Sequence, residues 1–409
     1  MSTIYIPRHI EKTLKGFVEQ FPAVVLTGPR QAGKSTLLAN LFGNTYNIIS
    51  FDDPLIRERA LSDPYLFLDT AGDKVIFDEI QYVPELLPYI KILIDKDRDN
   101  RGRFILTGSS QFNLMKNLTE TLAGRIGILV LLPFAKVEKE TIPELKDKLL
   151  TIRDQFVHSS LRGCFPEICL HPEINPSYWY ASYISTYLER DIRSLYNIGS
   201  LREFQRFLQL LAARCAQVLN LSSLANDLGV AVNTVKRWVS VLEASQIIYI
   251  LPPYYQNLGK RIAKNPKVYF LDLGLVCYLV GLKDEEHLLK GPMAGAIFEN
   301  YCIQETVKAF FNQGVRPNIF YLRTHNGLEI DLLIEREGLL YPVEFKMTKT
   351  INIGMAGPIE RAKRLFSKLN ITGARIISLS EEDMPLSRDV SVQGMKSYLD
   401  WLKESSYED

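Results

Sequence analysis

Cysteine is scarce in this sequence: five in 409 residues (Cys164, Cys169, Cys215, Cys277, Cys302), odd in number and scattered. That argues against a disulfide framework and suits thiols kept reduced in a cytosol, so a cytoplasmic protein is expected. No apolar stretch approaches the eighteen or so residues of a membrane helix. The longest, such as Ile126–Phe134, have the length of buried strands. Met1–Lys15 mixes Pro7, Arg8, His9, Glu11 and Lys12 and has no apolar core of a signal peptide, so no membrane association is expected. Net charge is almost absent too: 48 Lys+Arg against 47 Asp+Glu leaves +1, which excludes a uniformly basic scaffold and refers any contact with nucleic acid to local charge. There is no internal repeat, heptad pattern or low-complexity tract. With 46% apolar and 23% charged residues the chain is not a disordered one. Its length implies two to four domains.

The first 135 residues alternate short β-branched or aromatic runs (Ala23–Thr27, Asn47–Phe51, Lys74–Phe77, Arg103–Thr107) with segments of helical apolar spacing. That alternation predicts an α/β unit, a doubly wound parallel sheet wrapped by helices. The charged stretch Lys136–Lys148 breaks the pattern. Four regions are expected: the α/β domain over 1–140, a helical lid or linker over 141–205, a helical domain with one strand pair over 206–285, and an α+β domain over 286–409. From Gly295 onward the pattern reads helix, three strands, helix, strand.

The strand Ala23–Thr27 runs into Gly28-Pro29-Arg30-Gln31-Ala32-Gly33-Lys34-Ser35-Thr36 and then an apolar helix start. This is a G-x-x-x-x-G-K-S loop in its strand–loop–helix context. Glycines let backbone N–H groups turn around a phosphate, and the helix N-terminus favours the anion. Lys34 reaches the β/γ oxygens of ATP, and the Ser35 hydroxyl is placed to ligate Mg²⁺. A second strand ends in Asp78-Glu79: Asp78 to hold Mg²⁺ through its water shell, Glu79 to polarise the attacking water. A third ends in Thr107-Gly108-Ser109-Ser110, whose hydroxyls at the sheet edge suit sensing the γ-phosphate or orienting the water. Tyr5-Ile6-Pro7-Arg8 has two readings, contact with the base or a staple on the first helix.

The segments Leu26–Leu38, Val75–Gln81, Leu106–Ser110 and Leu122-Ala-Gly-Arg125-Ile resemble the prokaryotic AAA-type ATPases that carry an extra C-terminal region. The resemblance covers nearly the whole chain and implies a homo-oligomer, with Arg125 where an arginine finger would be sought. The other reading of Arg125 is a pair with an acid on its own surface.

In the middle region, Leu221–Val230 and Ala231–Glu243 read as helix, Gly-containing turn, helix, with Leu224, Leu228, Val235, Val239 and Leu242 inward and Thr234, Lys236, Arg237 and Ser240 outward. That is the helix-turn-helix plan. The following Tyr254–Phe270 carries Lys260, Arg261, Lys264 and Lys267 without an acid, which suits a wing over DNA phosphates and a winged-helix domain. The bland reading is a dimerisation or lid element that meets a protein. Cys164, Cys169 and His171 lack a fourth ligand for zinc and read as buried thiols with a nearby histidine.

Towards the carboxyl terminus, Glu329–Glu335 and Leu340–Lys346 flank Arg336-Glu337-Gly338-Leu339. A loop centred between Glu337 and Gly338 sets Asp331 opposite Glu344 and Glu329 opposite Lys346. Ile330, Leu332, Ile334, Tyr341, Val343 and Phe345 then share an apolar face, and the acids share the other. Directly opposed carboxylates repel unless a cation lies between them. With Glu299 on the preceding helix, the order acid, Asp, E-x-K resembles the PD-(D/E)xK nuclease superfamily, a restriction-endonuclease-like fold. By that resemblance Asp331 and Glu344 would hold Mg²⁺, Lys346 would orient or activate water, and Glu299 would assist. The expected function is a Mg²⁺-dependent ATPase that binds DNA and couples to metal-dependent cleavage. The alternative is an ATP-switched regulatory protein whose last domain only grips DNA or a protein.

Overall fold

The computed structural model describes residues 5–108, 121–188, 201–254, 265–324 and 326–404. The first unit is a five-stranded sheet in the order β2-β3-β4-β1-β5. Its strands are β1 (Ala23–Thr27), β2 (Asn47–Ser50), β3 (Val75–Asp78), β4 (Phe104–Gly108) and β5 (Ile126–Val130), and every pairing is parallel. Alternate side chains serve two cores. Val25, Val75, Phe77 and Leu106 pack with α3 (Pro54–Ser62), α4 (Pro64–Ala71) and α5 (Leu87–Lys96). Val24, Leu26, Ile76 and Ile105 pack with α1 (Glu11–Gln20) and α2 (Lys34–Phe42). The sheet is covered on both faces, so these strands read as continuous apolar runs. Their carboxyl ends, where ligands collect in such sheets, carry Thr27, Asp78 and Gly108.

The middle is helical. The charged stretch that breaks the alternation forms α6 (Lys136–Lys139) and α7 (Pro143–Lys146), and Lys136, Glu138 and Lys139 of α6 lie out of solvent, each with a polar partner. Then come α8 (Ile152–Leu161), α9 (Pro166–Leu170), α10 (Pro176–Tyr183) and α11 (Leu201–Ala212). Next, α12 (Leu221–Leu228) and α13 (Val232–Ala244) are joined through Gly229 at φ 71°. Leu224, Leu228, Val235, Val239 and Leu242 are all buried, as their spacing requires. A two-stranded antiparallel ribbon, β6 (Ile248–Leu251) with β7 (Lys267–Phe270), leads to α14 (Leu273–Val280) and α15 (Glu285–Lys290).

The last unit opens with α16 (Ala294–Asn312) and holds a six-stranded mixed sheet in the order β12-β13-β11-β10-β9-β8. Its strands are β8 (Ile319–Arg323), β9 (Glu329–Arg336), β10 (Leu339–Lys346), β11 (Ala374–Ser378), β12 (Met384–Ser387) and β13 (Val390–Gln393). Helices α17 (Gly357–Leu365) and α18 (Met395–Glu404) complete it. The terminal β12–β13 hairpin and α18 extend the pattern anticipated from Gly295 onward. One hydrophobic core runs from Leu132 through the helical middle to Leu402 and includes Phe298 and Tyr301 of α16, Leu332 and Ile334 of β9, and Val343 and Phe345 of β10.

Candidate functional site

At the carboxyl edge of the first sheet the chain leaves β1 through Gly28 (φ 145°), Gln31 (φ 60°) and Gly33 (φ 92°). Gly28 passes so close to Leu131 that a Cβ there would lie 2.0 Å from its carbonyl oxygen. The N-cap of α2 is Gly33, which brings no side chain to cap the helix, and a helix N-terminus favours an anion. The Lys34 ammonium donates to the carbonyls of Gly28 (3.1 Å) and Pro29 (3.0 Å), at the heart of the loop.

From β3, Asp78 accepts from the Ser35 hydroxyl at 2.9 Å and from the Thr107 hydroxyl of β4. The Glu79 amide lies 3.3 Å from the Thr107 oxygen, and the Glu79 carboxylate accepts from the Gln81 amide. Glu79 itself has φ 58°, a left-handed conformation that a non-glycine residue rarely adopts. Ser35, Asp78, Thr107 and Glu79 thus form one continuous hydrogen-bonded chain beside the loop. The uncapped helix, the buried lysine and the hydroxyl–carboxylate pair fit the phosphates and Mg²⁺ of a nucleotide.

Arg8 braces this loop from behind. Its Nη1 donates to the Ala32 carbonyl (2.9 Å), its Nη2 to the Leu132 carbonyl (2.6 Å), and its Nε lies 3.2 Å from Glu138. The guanidinium also stacks 4.8 Å from the Phe134 ring centroid. Of the two readings of Tyr5–Arg8, the structure displays a staple: the Tyr5 hydroxyl binds Glu11 of α1 at 2.6 Å.

A second polar cluster forms where β9 and β10 part. The hairpin register is Arg336 with Leu339 through Leu332 with Val343, as the turn predicts. Glu337 (φ 49°) and Gly338 (φ 73°) make a two-residue turn of the type I′ kind. Beyond Val343, β10 continues on β11, pairing Glu344 with Ile376 and Lys346 with Ser378. The Asp331 carboxylate there accepts from the Phe345 amide at 2.9 Å.

Two expectations for this hairpin are corrected. Between β8 and β9 the register slips, so that Asp331 and Leu332 together face Tyr321. This bulge moves Ile330 into the core of Leu333 and Leu340, away from Leu332, Ile334 and Val343. Glu329, expected opposite Lys346, instead pairs with Lys267 at 2.6 Å and lies 3.5 Å from Arg323.

Glu299 of α16 accepts from Lys267 Nζ at 2.9 Å and from the Tyr269 hydroxyl at 2.6 Å. Lys346 Nζ lies 2.5 Å from Glu344 and 3.8 Å from Asp331. Glu344 is only 2% exposed, and its Oε1 has no hydrogen-bond partner among the described residues. Burial, and then the Asp331 charge, push the Glu299 and Glu344 carboxyls upward. Burial alone would lower the Lys267 ammonium, but Glu299, Glu329 and Asp331 outweigh it and hold it above its usual value. Among the described residues no three His, Cys, Asp or Glu converge as a ligand set. Mg²⁺, however, is commonly held by one or two carboxylates with water completing its shell. The orphaned Glu344 oxygen beside Asp331 fits that pattern.

Comparison with known proteins places this arrangement. An AAA domain matches residues 20–139, and two domains of unknown function match beyond it, DUF8612 over 153–286 and DUF4143 over 294–398. The protein named Uncharacterized protein Rv2008c, of Mycobacterium tuberculosis, is 31% identical over 387 residues, covering 92% of this chain and 81% of its own. Uncharacterized protein Mb2031c of Mycobacterium bovis matches to the same extent. This chain belongs to the AAA-family P-loop ATPases. A Walker-type ATPase of Pyrococcus abyssi is 18% identical with a TM-score of 0.42, covering 67% of this chain and 96% of that one.

In this ATPase the phosphate-loop residues, Asp78, Glu79 and Thr107 come together as their motifs imply. Arg125 makes a bidentate pair with Asp95 of α5, at 2.7 and 3.0 Å, and also donates to the Ala123 carbonyl. That hydrogen-bonded pair holds the Asp95 carboxyl down at about 2. Lys236 and Arg237 are exposed on α13, with Thr234 half-buried beside them. Ser109, Lys260, Arg261 and Lys264 lie outside the described residues. Lys267 is corrected: it is 2% exposed and spends its charge on Glu299 and Glu329, so it does not face DNA phosphates. No helix among the described residues is long and apolar enough to cross a membrane. The five cysteines are free and buried, and His171 is exposed, with Glu173 at 3.1 Å.

Sequence reasoning missed Arg8 as a brace and Tyr269 as a partner of Glu299. The only signal for Tyr269 was its alternation with Lys267 along one strand, which puts both side chains on one face.

Proposed function

We propose that this ATPase binds Mg²⁺-ATP at the Gly28–Thr36 loop and uses its turnover to act on DNA, which it cuts at a restriction-endonuclease-like site in its last region. At the nucleotide site Lys34 neutralises the β- and γ-phosphates. Ser35 and Asp78 hold the metal, Glu79 takes the proton of the attacking water, and Thr107, with Ser109, keeps Asp78 and that water oriented. Arg125 serves a neighbouring copy in a homo-oligomer once its pair with Asp95 opens. Exposed Leu55, Tyr65 and Leu66 on α3 and α4 suit such an interface with a second copy. In the middle region a winged helix meets phosphates through Thr234, Lys236 and Arg237, with Lys260, Arg261 and Lys264 on its wing.

In the last region Asp331 and Glu344 would hold Mg²⁺, which would supply a Lewis acid and lower the pKa of bound water. Lys346 would orient the attacking water, and Glu299 shapes the local charge. The observation that carries the cleavage reading is the buried Oε1 of Glu344, without a partner among the described residues, beside Asp331 and Lys346. The test is a paired assay of phosphate release and strand loss with Mg²⁺, ATP and DNA. Lys346→Ala is expected to abolish strand loss and leave ATP hydrolysis intact. Intact DNA with the unmutated protein would remove the cleavage reading. In a separate binding titration, replacing Lys236 and Arg237 should make affinity less dependent on salt, and an unchanged slope would count against the winged-helix contact.

A further inference from the structure

Lys267 does not belong to the region whose acids it neutralises. It enters from β7, where its backbone is fixed on both sides, paired with Leu251 of β6 and bridged to Val218. Its stem passes the Tyr321 ring, with Nζ 5.6 Å from the centroid, and its ammonium ends between Glu299 of α16 (2.9 Å) and Glu329 of β9 (2.6 Å). Tyr269, two residues on, adds its hydroxyl to the same Glu299 oxygen. Among the described residues the cluster sets four carboxylates, Glu299, Glu329, Asp331 and Glu344, against the ammoniums of Lys267 and Lys346, with the Arg323 guanidinium 3.5 Å from Glu329 at its edge. The carboxylates divide by partner. Glu299 and Glu329 are taken by Lys267, whereas Glu344 keeps one buried oxygen unbonded among the described residues and shares Lys346 with Asp331.

We propose that the Lys267 ammonium is a resident cation of this site, standing where a second divalent ion would otherwise bind between Glu299 and Glu329. The middle region thereby limits the last region to a single divalent ion, the one on Asp331 and Glu344. This rests on the metal-site reading above and deepens it. Lys267 is a positioning residue: it touches carboxylates, not substrate, and its removal uncovers two acids whose oxygens lie 2.9 and 2.6 Å from the point its ammonium vacates. The site is then complete only while β7 is docked on α16 and β9.

The test counts Mn²⁺ by electron paramagnetic resonance and calorimetry, on nucleotide-free full-length chain carrying Ser35→Ala to silence the phosphate loop. One Mn²⁺ per chain is expected, lost in Glu344→Gln. Lys267→Ala is expected to take two, and Lys267→Ala with Glu299→Gln to return to one. Lys267→Arg, which keeps the charge, should take one. A count of one in Lys267→Ala would overturn the inference and leave the single-ion site standing. No Mn²⁺ in the parent chain would overturn both. Should Lys267→Ala fold poorly with two uncovered acids, Mn²⁺ is expected to raise its melting temperature more than that of the parent or to restore refolding, and failure of the ion to do either would overturn the inference.

Discussion

The Glu79 carboxylate lies at the end of a strand in a left-handed conformation, tied to Gln81 by its side chain and to Thr107 by its backbone. A group held in this way can act on a water without contributing to nucleotide affinity. Glu79→Gln is therefore expected to bind ATP as tightly as the parent and to hydrolyse it about 10²–10⁴-fold more slowly. Equilibrium binding and single-turnover hydrolysis check both halves, and full turnover in the variant would remove the assigned role. His158 supplies a pH prediction. Burial, then the charges of Lys139, Arg162 and Lys148, lower its pKa to about 3, and its Nδ1 has no partner among the described residues. An unfolded histidine titrates near 6.5, so between about 6.5 and 3 the unfolded chain binds the extra proton. The contribution of His158 to stability is thus complete above about pH 6.5 and is lost as the pH falls towards 3. His158→Gln should flatten the fall of the denaturation midpoint across that window, and an equal slope in both proteins would contradict this.

Among the elements, the β9–β10 hairpin owes its register to two turn residues. Glu337 and Gly338 both have positive φ, which the right-handed twist of the strands requires of a two-residue turn. Glycine adopts it freely, but glutamate bears a cost of about 1–2 kcal/mol. Glu337→Asn is expected to stabilise the protein by about 1 kcal/mol without moving the register, as read from the chemical denaturation midpoint; a lower midpoint would argue against a type I′ turn. The register itself was legible from the sequence because a short loop centred between Glu337 and Gly338 leaves one pairing. The bulge at Asp331–Leu332 was not, because it is imposed by β8 on the other side of β9 and leaves no mark in the hairpin's own residues. The helical pair α12–α13 was likewise legible, since its buried leucines and valines recur at helical spacing within a single segment.

For the whole molecule, the regions are less separable than their motifs suggest. Lys308 of α16 donates to the Phe134 carbonyl at 2.9 Å, Glu305 accepts from the Lys136 amide at 2.7 Å, and Thr13 of α1 binds the Asn312 carbonyl at 2.8 Å. A helix of the last region is thus bonded into the ATPase unit, and one apolar core spans the middle and last regions. Calorimetry is expected to show a single main transition that ADP with Mg²⁺ shifts upward as a whole, by about 2.7 kcal/mol at a hundredfold excess over the dissociation constant. A separate transition that nucleotide leaves unmoved would contradict this coupling. What the sequence determined by itself was carried by contiguous residues: the phosphate loop, the Asp78-Glu79 strand end, the apolar spacing of α12 and α13, and the hairpin. What only the tertiary structure decided was the pairing of distant charges. Arg8 on the loop, Arg125 on Asp95 and Lys267 on Glu299 each depend on which elements the topology brings together. A charged side chain carries no local pattern that names its partner, whereas a glycine, a turn or an apolar period does.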